Sequence, residues 1–331
     1  MAVQTRREWL ARVAPRTELV NVLEFEDEAA RLLPADLARA LSGGDRAAFE
    51  RMTFRPRMMV NCLDLNLSLD LLGVPLFAPI IVGPVADQRR FHADGELATV
   101  RGASAARAAV VVSSRSSHGV PSLAAQATTP LMFQVFSEDG TAKIRSQAQE
   151  AERAGCRAVL LTVVSPSAGA RRSARIDWTG VDALRAAVSV PVIVKGATTA
   201  LEATTAVSHG AQGLVVSDYG RPTAAGQPAP LDVLPAIVDA VGAAVPVLLD
   251  GGVGRGSDVM KALALGARAV LVARPVMWGL AAYGADGVQS VLELLQTELG
   301  RVMGCCGTPG LAAITRRVVT VHAPQPPRGP A

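Results

Sequence analysis

The chain has 331 residues, half of them hydrophobic and 19% charged, so a large core can be buried and global disorder is excluded. Its 33 basic and 29 acidic residues leave a formal charge of +4, interspersed rather than clustered, and aromatics make up only 4%, which argues against a nucleic-acid groove with stacking platforms. Four cysteines without Cys-x-x-Cys or histidine spacing exclude a disulfide scaffold and a zinc site and read as reduced thiols.

The opening MAVQTRREWLARV lacks the apolar centre of a secretory signal. Residues 1–70 read as an N-terminal helical cap with short helices around Trp9-Leu10, Glu26 to Leu33 and Asp36 to Leu41. Asp36 is a candidate N-cap, and the segment is expected to cover the bottom or one side of the larger domain C-terminal to it. Eight short apolar runs then recur: LFAPIIVGPV (76–85), AVVVSS (109–114), LMFQVF (131–136), AVLLTVV (158–164), VPVIVKG (190–196), GLVVSDYG (213–220), VPVLLDGG (245–252) and AVLVARPV (269–276). Near-continuous apolar runs suit parallel strands buried on both faces. The segments between them, such as GTAKIRSQAQEAERAG, LEATTAVSHG and SDVMKALALGA, read as helices that close on or near glycine. Eight strand–helix units over residues 71–311 predict an α/β fold, a (β/α)8 TIM barrel, ending in the helix VQSVLELLQTELGRVMG. Residues 312–331 read as a C-terminal tail, proline-rich and frayed at its end. The longest apolar run, Leu71 to Ala86, is short for a membrane span and broken by Pro75, Pro79 and Pro84, so a soluble cytoplasmic protein is expected.

In such a barrel the chemistry sits where the strands end. The residues closing the runs are therefore the informative ones: Pro84-Val85-Ala86, Ser114, Gln134, Thr162, Lys195, Ser217-Asp218-Tyr219, Asp250-Gly251-Gly252 and Ala273-Arg274. A lysine at the end of an apolar strand is costly to bury without an anionic partner. The last two turns combine glycines, an aspartate and arginines, as a phosphate-holding barrel mouth would.

The segments VIVKG, GLVVSDYG, LLDGGVGRGSDVMKALALGARAVLVARPV and GLAAYGADGV resemble the FMN-dependent α-hydroxy-acid oxidase and dehydrogenase family, which includes glycolate oxidase, lactate oxidase and mandelate dehydrogenase. FRPR (54–57), GVPLFAPIIVGPVA, HADGELATVRGASAA, MFQVF and AERAGCRAVLLTV extend the resemblance over residues 49 to 311. It implies FMN as cofactor, with the backbone of Pro84, Val85 and Ala86 beside the ring and Ser114, Gln134 and Thr162 on its pyrimidine edge. Lys195 would face N1 and O2, Asp250 the ribityl chain, and Gly252, Ala273 and Arg274 the phosphate, with Gly251 also among the cofactor-binding residues. Where the family has an arginine in the phosphate loop this chain has Gly254, and Arg255 is the candidate substitute.

On the substrate side the resemblance implies departures. The family takes a proton with a histidine in an SNHG motif, and this chain has Tyr219 at that position. The aspartate that supports the histidine falls on Val164, one active-site tyrosine on Phe136, and the other in the tyrosine-free region Ala40 to Gly43. Arg171 (or Arg172) and Arg221 are the candidate carboxylate holders. His118, and less directly His92, could approach the mouth, whereas His209 reads as a surface residue. An unperturbed phenol titrates near ~10, so Tyr219 could serve as base, proton donor, anchor or pocket wall. The shortened loop after the fourth strand implies a substrate bulkier than lactate or glycolate, with oxygen or another electron acceptor and no nucleic-acid or membrane partner. A homo-oligomer is also implied. Two alternatives stand beside the oxidoreductase: an FMN barrel with isomerase-type, non-redox chemistry, and a non-catalytic flavin-binding protein.

Overall fold

Valine, isoleucine and leucine dominate the eight runs, and each run becomes a parallel strand in the computed structural model, which describes residues 14–43, 46–163, 178–219 and 228–323. The strands are β1 (Ile80–Val82), β2 (Val110–Ser113), β3 (Leu131–Phe136), β4 (Val159–Thr162), β5 (Val192–Ala197), β6 (Gly213–Val216), β7 (Val247–Asp250) and β8 (Ala269–Val272). They pair in chain order, and β8 closes on β1 with Val270 opposite Ile80, giving the expected (β/α)8 barrel.

Side chains alternate across each strand. One set, including Val112, Phe133, Leu161, Val194, Val216 and Leu249, packs outward under the helices. The other, including Ile81, Val111, Met132, Leu160, Ile193, Val215 and Leu248, fills the barrel interior. Two residues further along, the same inward register reads Ser113, Gln134, Thr162, Lys195, Ser217 and Asp250. The interior therefore switches from apolar to polar at one height, just below the C-terminal mouth.

The opposite end is closed by a feature that the helical-cap expectation lacked. Leu69–Leu71 pairs antiparallel with Val74–Leu76. The turn between them, Leu72-Gly73, has φ of 55° and 78°, the two positive values that a two-residue hairpin turn uses. Leu69, Leu71, Val74 and Leu76 join the interior cluster as a plug. Leu76, expected to open the first barrel strand, belongs to this hairpin.

Among the described residues, helices Glu24–Leu32 and Ala35–Leu41 lie on one side of the barrel, toward its mouth. Phe25 meets Tyr283 edge-on, with centroids 5.8 Å apart, and Trp278 Nε1 donates to the Leu41 carbonyl at 3.0 Å. Asp36 is not the N-cap: Pro34 holds that position, and Asp36 sits inside the first turn, where its charge complements the helix dipole. The helix expected around Trp9-Leu10 lies outside the described residues. Met52–Phe54 pairs antiparallel with Val319–Val321, which ties part of the expected tail to the N-terminal segment. The final helical run, Arg274–Cys305, is broken at Tyr283 and Gly284.

Candidate functional site

Alternation along β5 points Lys195 into the barrel, where it is 2% exposed. Burying an ammonium requires a partner, and the two following strands provide one. Lys195 Nζ lies 2.6 Å from Asp250 Oδ2 at the end of β7. It also donates to Ser217 Oγ at 2.9 Å, and Ser217 in turn donates to Asp250 Oδ2 at 2.9 Å. On the other side of the mouth, Gln134 Nε2 donates to Thr162 Oγ1 at 2.6 Å.

Lys195, Gln134 and Asp250 line the floor of a cavity of about 520 Å³. Its wall includes the Pro84-Val85-Ala86 loop after β1, Gln134, Lys195, Tyr219, Asp250, Gly251, Ala273 and Arg274, all named from the sequence. Thr162 sits beneath Gln134, its hydrogen-bond partner, rather than on the wall. Ser114 Oγ is buried and has no hydrogen-bond partner among the described residues, while its backbone N–H donates to the Gln134 carbonyl at 2.8 Å. A second cavity of about 300 Å³ adjoins the first and shares Asp250, Gly251, Ala273 and Arg274 with it. Gly252, Val253, Gly254 and Arg46 extend its wall. Gly251 and Gly252 take φ of 121° and 72°, values open to glycine and costly for other residues.

Arg255 does not join this site. Its guanidinium turns to Glu298 on the final helix, with Nε 2.9 Å and Nη2 2.8 Å from Glu298 Oε1. That interaction, more than any other, raises the Arg255 pKa. The reason is local: Arg255 precedes the helix Gly256–Ala264, and the packing of that helix against the final one delivers the side chain to Glu298.

Tyr219 is 53% exposed at the rim, with its ring centroid 5.1 Å from Lys195 Nζ. Asp218 lines the same cavity as Tyr219, because β6 ends at Val216 and strand alternation no longer separates the two side chains. Arg171, Arg172, Arg221 and Val164 lie outside the described residues. Neither His92 nor His118 lines the cavity. His92 packs at the helix break, its Nε2 3.0 Å from where a Cβ of Gly284 would be. His209 bonds Asp182 and stacks on Trp178.

Residues on these walls that were not anticipated include Arg90, Phe91 and Met277 in the larger cavity, and Arg46, Glu26 and Glu50 in the smaller. Arg89-Arg90 directly after the first strand-end loop was the available signal for one of them. Arg46 comes from the N-terminal segment and carries no local signal. No helix among the described residues is long and apolar enough to cross a membrane.

Residues 42–175 and 168–321 match the family described as FMN-dependent dehydrogenase. The chain is 34% identical to the peroxisomal (S)-2-hydroxyacid oxidase GLO4 of Arabidopsis thaliana, an alignment that covers 91% of this chain and 96% of that protein. It is 33% identical to glycolate oxidase 1 of Oryza sativa subsp. indica, covering 92% and 97%. Among solved structures, mandelate oxidase with (S)-2-phenylpropionate superposes with a TM-score of 0.85 at 35% identity, over 92% of this chain and 99% of that one. The family is one of FMN-dependent dehydrogenases and these relatives are oxidases, which leaves the isomerase-type and non-catalytic readings without support. A closed barrel with a buried strand-end lysine at its mouth, matched over nine-tenths of its length to such proteins, belongs to the FMN-dependent dehydrogenase family and is an FMN-dependent oxidoreductase.

Proposed function

We propose that this oxidoreductase oxidises a 2-hydroxy acid bulkier than lactate or glycolate in the cavity above Lys195, and that oxygen or another acceptor takes the electrons. The observation that carries the reading is the convergence of Lys195 and Gln134 in one cavity beneath the Pro84–Ala86 loop, with the Ser114 hydroxyl, unpartnered among the described residues, on the neighbouring strand end whose backbone bonds Gln134. A buried hydroxyl without a partner costs about 1–3 kcal/mol, and a ring carrying polar edge atoms satisfies it. The two adjoining cavities also give the elongated space that a ring, a sugar chain and a phosphate need. The residues present therefore fit FMN.

In this reading Ser114 and Gln134 hold the polar edge of the ring, and Thr162 fixes the Gln134 amide. Asp250 serves the ribityl chain, and the glycine turn with Arg274 serves the anionic end. When bound, FMN supplies the acceptor for the substrate's α-hydrogen with its electron pair. Lys195 places a fixed ammonium where negative charge accumulates, so the stabilisation is already organised before the charge forms. Asp218 and Tyr219 are wall groups able to exchange the hydroxyl proton, and Arg90 at the rim is a candidate carboxylate holder.

The test is anaerobic mixing of the purified yellow protein with a panel of 2-hydroxy acids. Bleaching of the flavin band, with one equivalent of the 2-keto acid formed, is the expected result. Bleaching by dithionite and by no hydroxy acid overturns the substrate assignment.

A further inference from the structure

The loop after β7 presents no side chain at Gly254, yet that space is filled. A Cβ built on Gly254 would collide with Nη1 of Arg46. Arg46 reaches this point from the N-terminal segment and lines the smaller cavity together with Gly252, Gly254 and Arg274.

Other donors near this end of the cavity are already committed. The backbone N–H groups of Gly254 and Arg255 donate to Asp258 Oδ2 at 3.0 and 2.9 Å. Gly256 N–H donates to Glu298 at 2.8 Å, and the Arg255 guanidinium is paired with the same carboxylate. The start of the helix Gly256–Ala264 is thus capped by protein carboxylates and has little left for an exogenous anion. Glu26 and Glu50 also line the cavity, and Gly43 N–H donates to Glu26 at 2.7 Å. Among the described residues, the cations on this wall are Arg46 and Arg274. Arg46 is held in place by Asp258, which is 1% exposed and accepts from Nη1 at 2.6 Å and from Nη2 at 3.4 Å.

We propose that Arg46 is a binding residue for the phosphate of FMN, the N-terminal segment supplying the guanidinium that the β7 loop lacks at Gly254. Asp258 is its positioning residue. The proposal rests on the FMN reading above and assigns the anionic end of that site.

The experiment compares FMN with riboflavin, which lacks the phosphate, by flavin-fluorescence titration of the full-length apoprotein. Wild type is expected to prefer FMN strongly. Arg46→Ala should weaken FMN binding by about 10- to 100-fold, the loss of one charged hydrogen-bonding partner. Riboflavin affinity should change by less than about threefold on the same scale. Because Arg46→Ala leaves Asp258 buried without its cation, Arg46→Gln, which can still donate to Asp258, should show the same selective loss. Arg46→Ala combined with Gly254→Arg should restore the preference for FMN. An unchanged preference in both single variants, or a parallel fall for the two flavins, overturns the proposal. A wild-type protein that binds neither flavin overturns the FMN reading itself, an outcome visible before any variant is made.

Discussion

Lys195 on β5 and Asp250 on β7 are not neighbours in the barrel, yet their charged atoms meet at 2.6 Å across the end of β6, whose Ser217 bonds to both. The pair lets a cation stay buried at the mouth. Breaking such a pair costs about 3–5 kcal/mol because the remaining charge is uncompensated. Lys195→Met should therefore lower stability by about that amount. It should also slow flavin reduction by about 10²- to 10³-fold. Lys195→Met combined with Asp250→Asn should recover most of the stability and none of the rate, as read by thermal denaturation and anaerobic stopped-flow.

Tyr219 occupies the rim 5.1 Å from the same ammonium. An imidazole there, with an unperturbed pKa of about 6.5, accepts a proton near neutrality far more readily than a phenol. Tyr219→His combined with Val164→Asp is expected to speed anaerobic flavin reduction by a small 2-hydroxy acid at least about tenfold, the low end of a general base's contribution. The gain should fade as the pH is lowered through about 6.5. A flat pH profile with no gain would show that the rim position no longer meets the substrate's hydroxyl.

Glu96 ties two mouth loops together. Its carboxylate accepts from Gln88 N–H at 3.0 Å, in the loop after β1, and from Ser117 N–H at 3.0 Å and Ser117 Oγ at 2.8 Å, in the loop after β2. Burial pushes its pKa up, but the hydrogen bonds from Gln88, Ser117 and its own backbone outweigh that, so it lies below the ordinary value of 4.5. A depressed folded pKa stabilises above the unfolded value and loses that stabilisation as pH falls through the folded one. Thermal scans should show wild type above Glu96→Gln at pH 7, with the gap closing in acid below pH 4.5. Glu96→Ala should cost about 1–3 kcal/mol at pH 7.

The cysteines differ sharply in surroundings. Burial pushes the Cys156 thiol up to about 12, whereas Cys305 is exposed. Thiolate is the reactive form. At pH 8 a maleimide should modify the exposed Cys305 in the native protein, whereas the buried Cys156 should react only on unfolding. Peptide mapping after timed quenching reads this directly.

The barrel was legible because its strands are buried on both faces, and a parallel strand of that kind is an unbroken Val/Ile/Leu run that little else mimics. The switch from apolar to polar at Gln134, Thr162, Lys195 and Asp250 was legible for the same reason: period two carries the inward face from core to mouth. The plug was not, because Leu69, Leu71, Val74 and Leu76 share the composition of a barrel strand, and the turn between them uses Leu72 where asparagine or aspartate is the usual signal. Arg255 misled for a different reason. Adjacent loop residues point in different directions, and Glu298 captures this one from far along the chain. Arg46 could only be found in three dimensions.

The antiparallel pairing of Met52–Phe54 with Val319–Val321 makes the N-terminal segment and the C-terminal strand mechanically interdependent. His322 N–H reaches back to the Arg51 carbonyl at 2.8 Å, and Arg55 N–H to the Val318 carbonyl at 2.8 Å. The stretch that delivers Arg46 is thereby laced down by residues more than 260 positions later. Trimming the protein back to Thr315, well away from any reacting atom, would slacken that lacing, and retention of the flavin during gel filtration would be the first property to suffer.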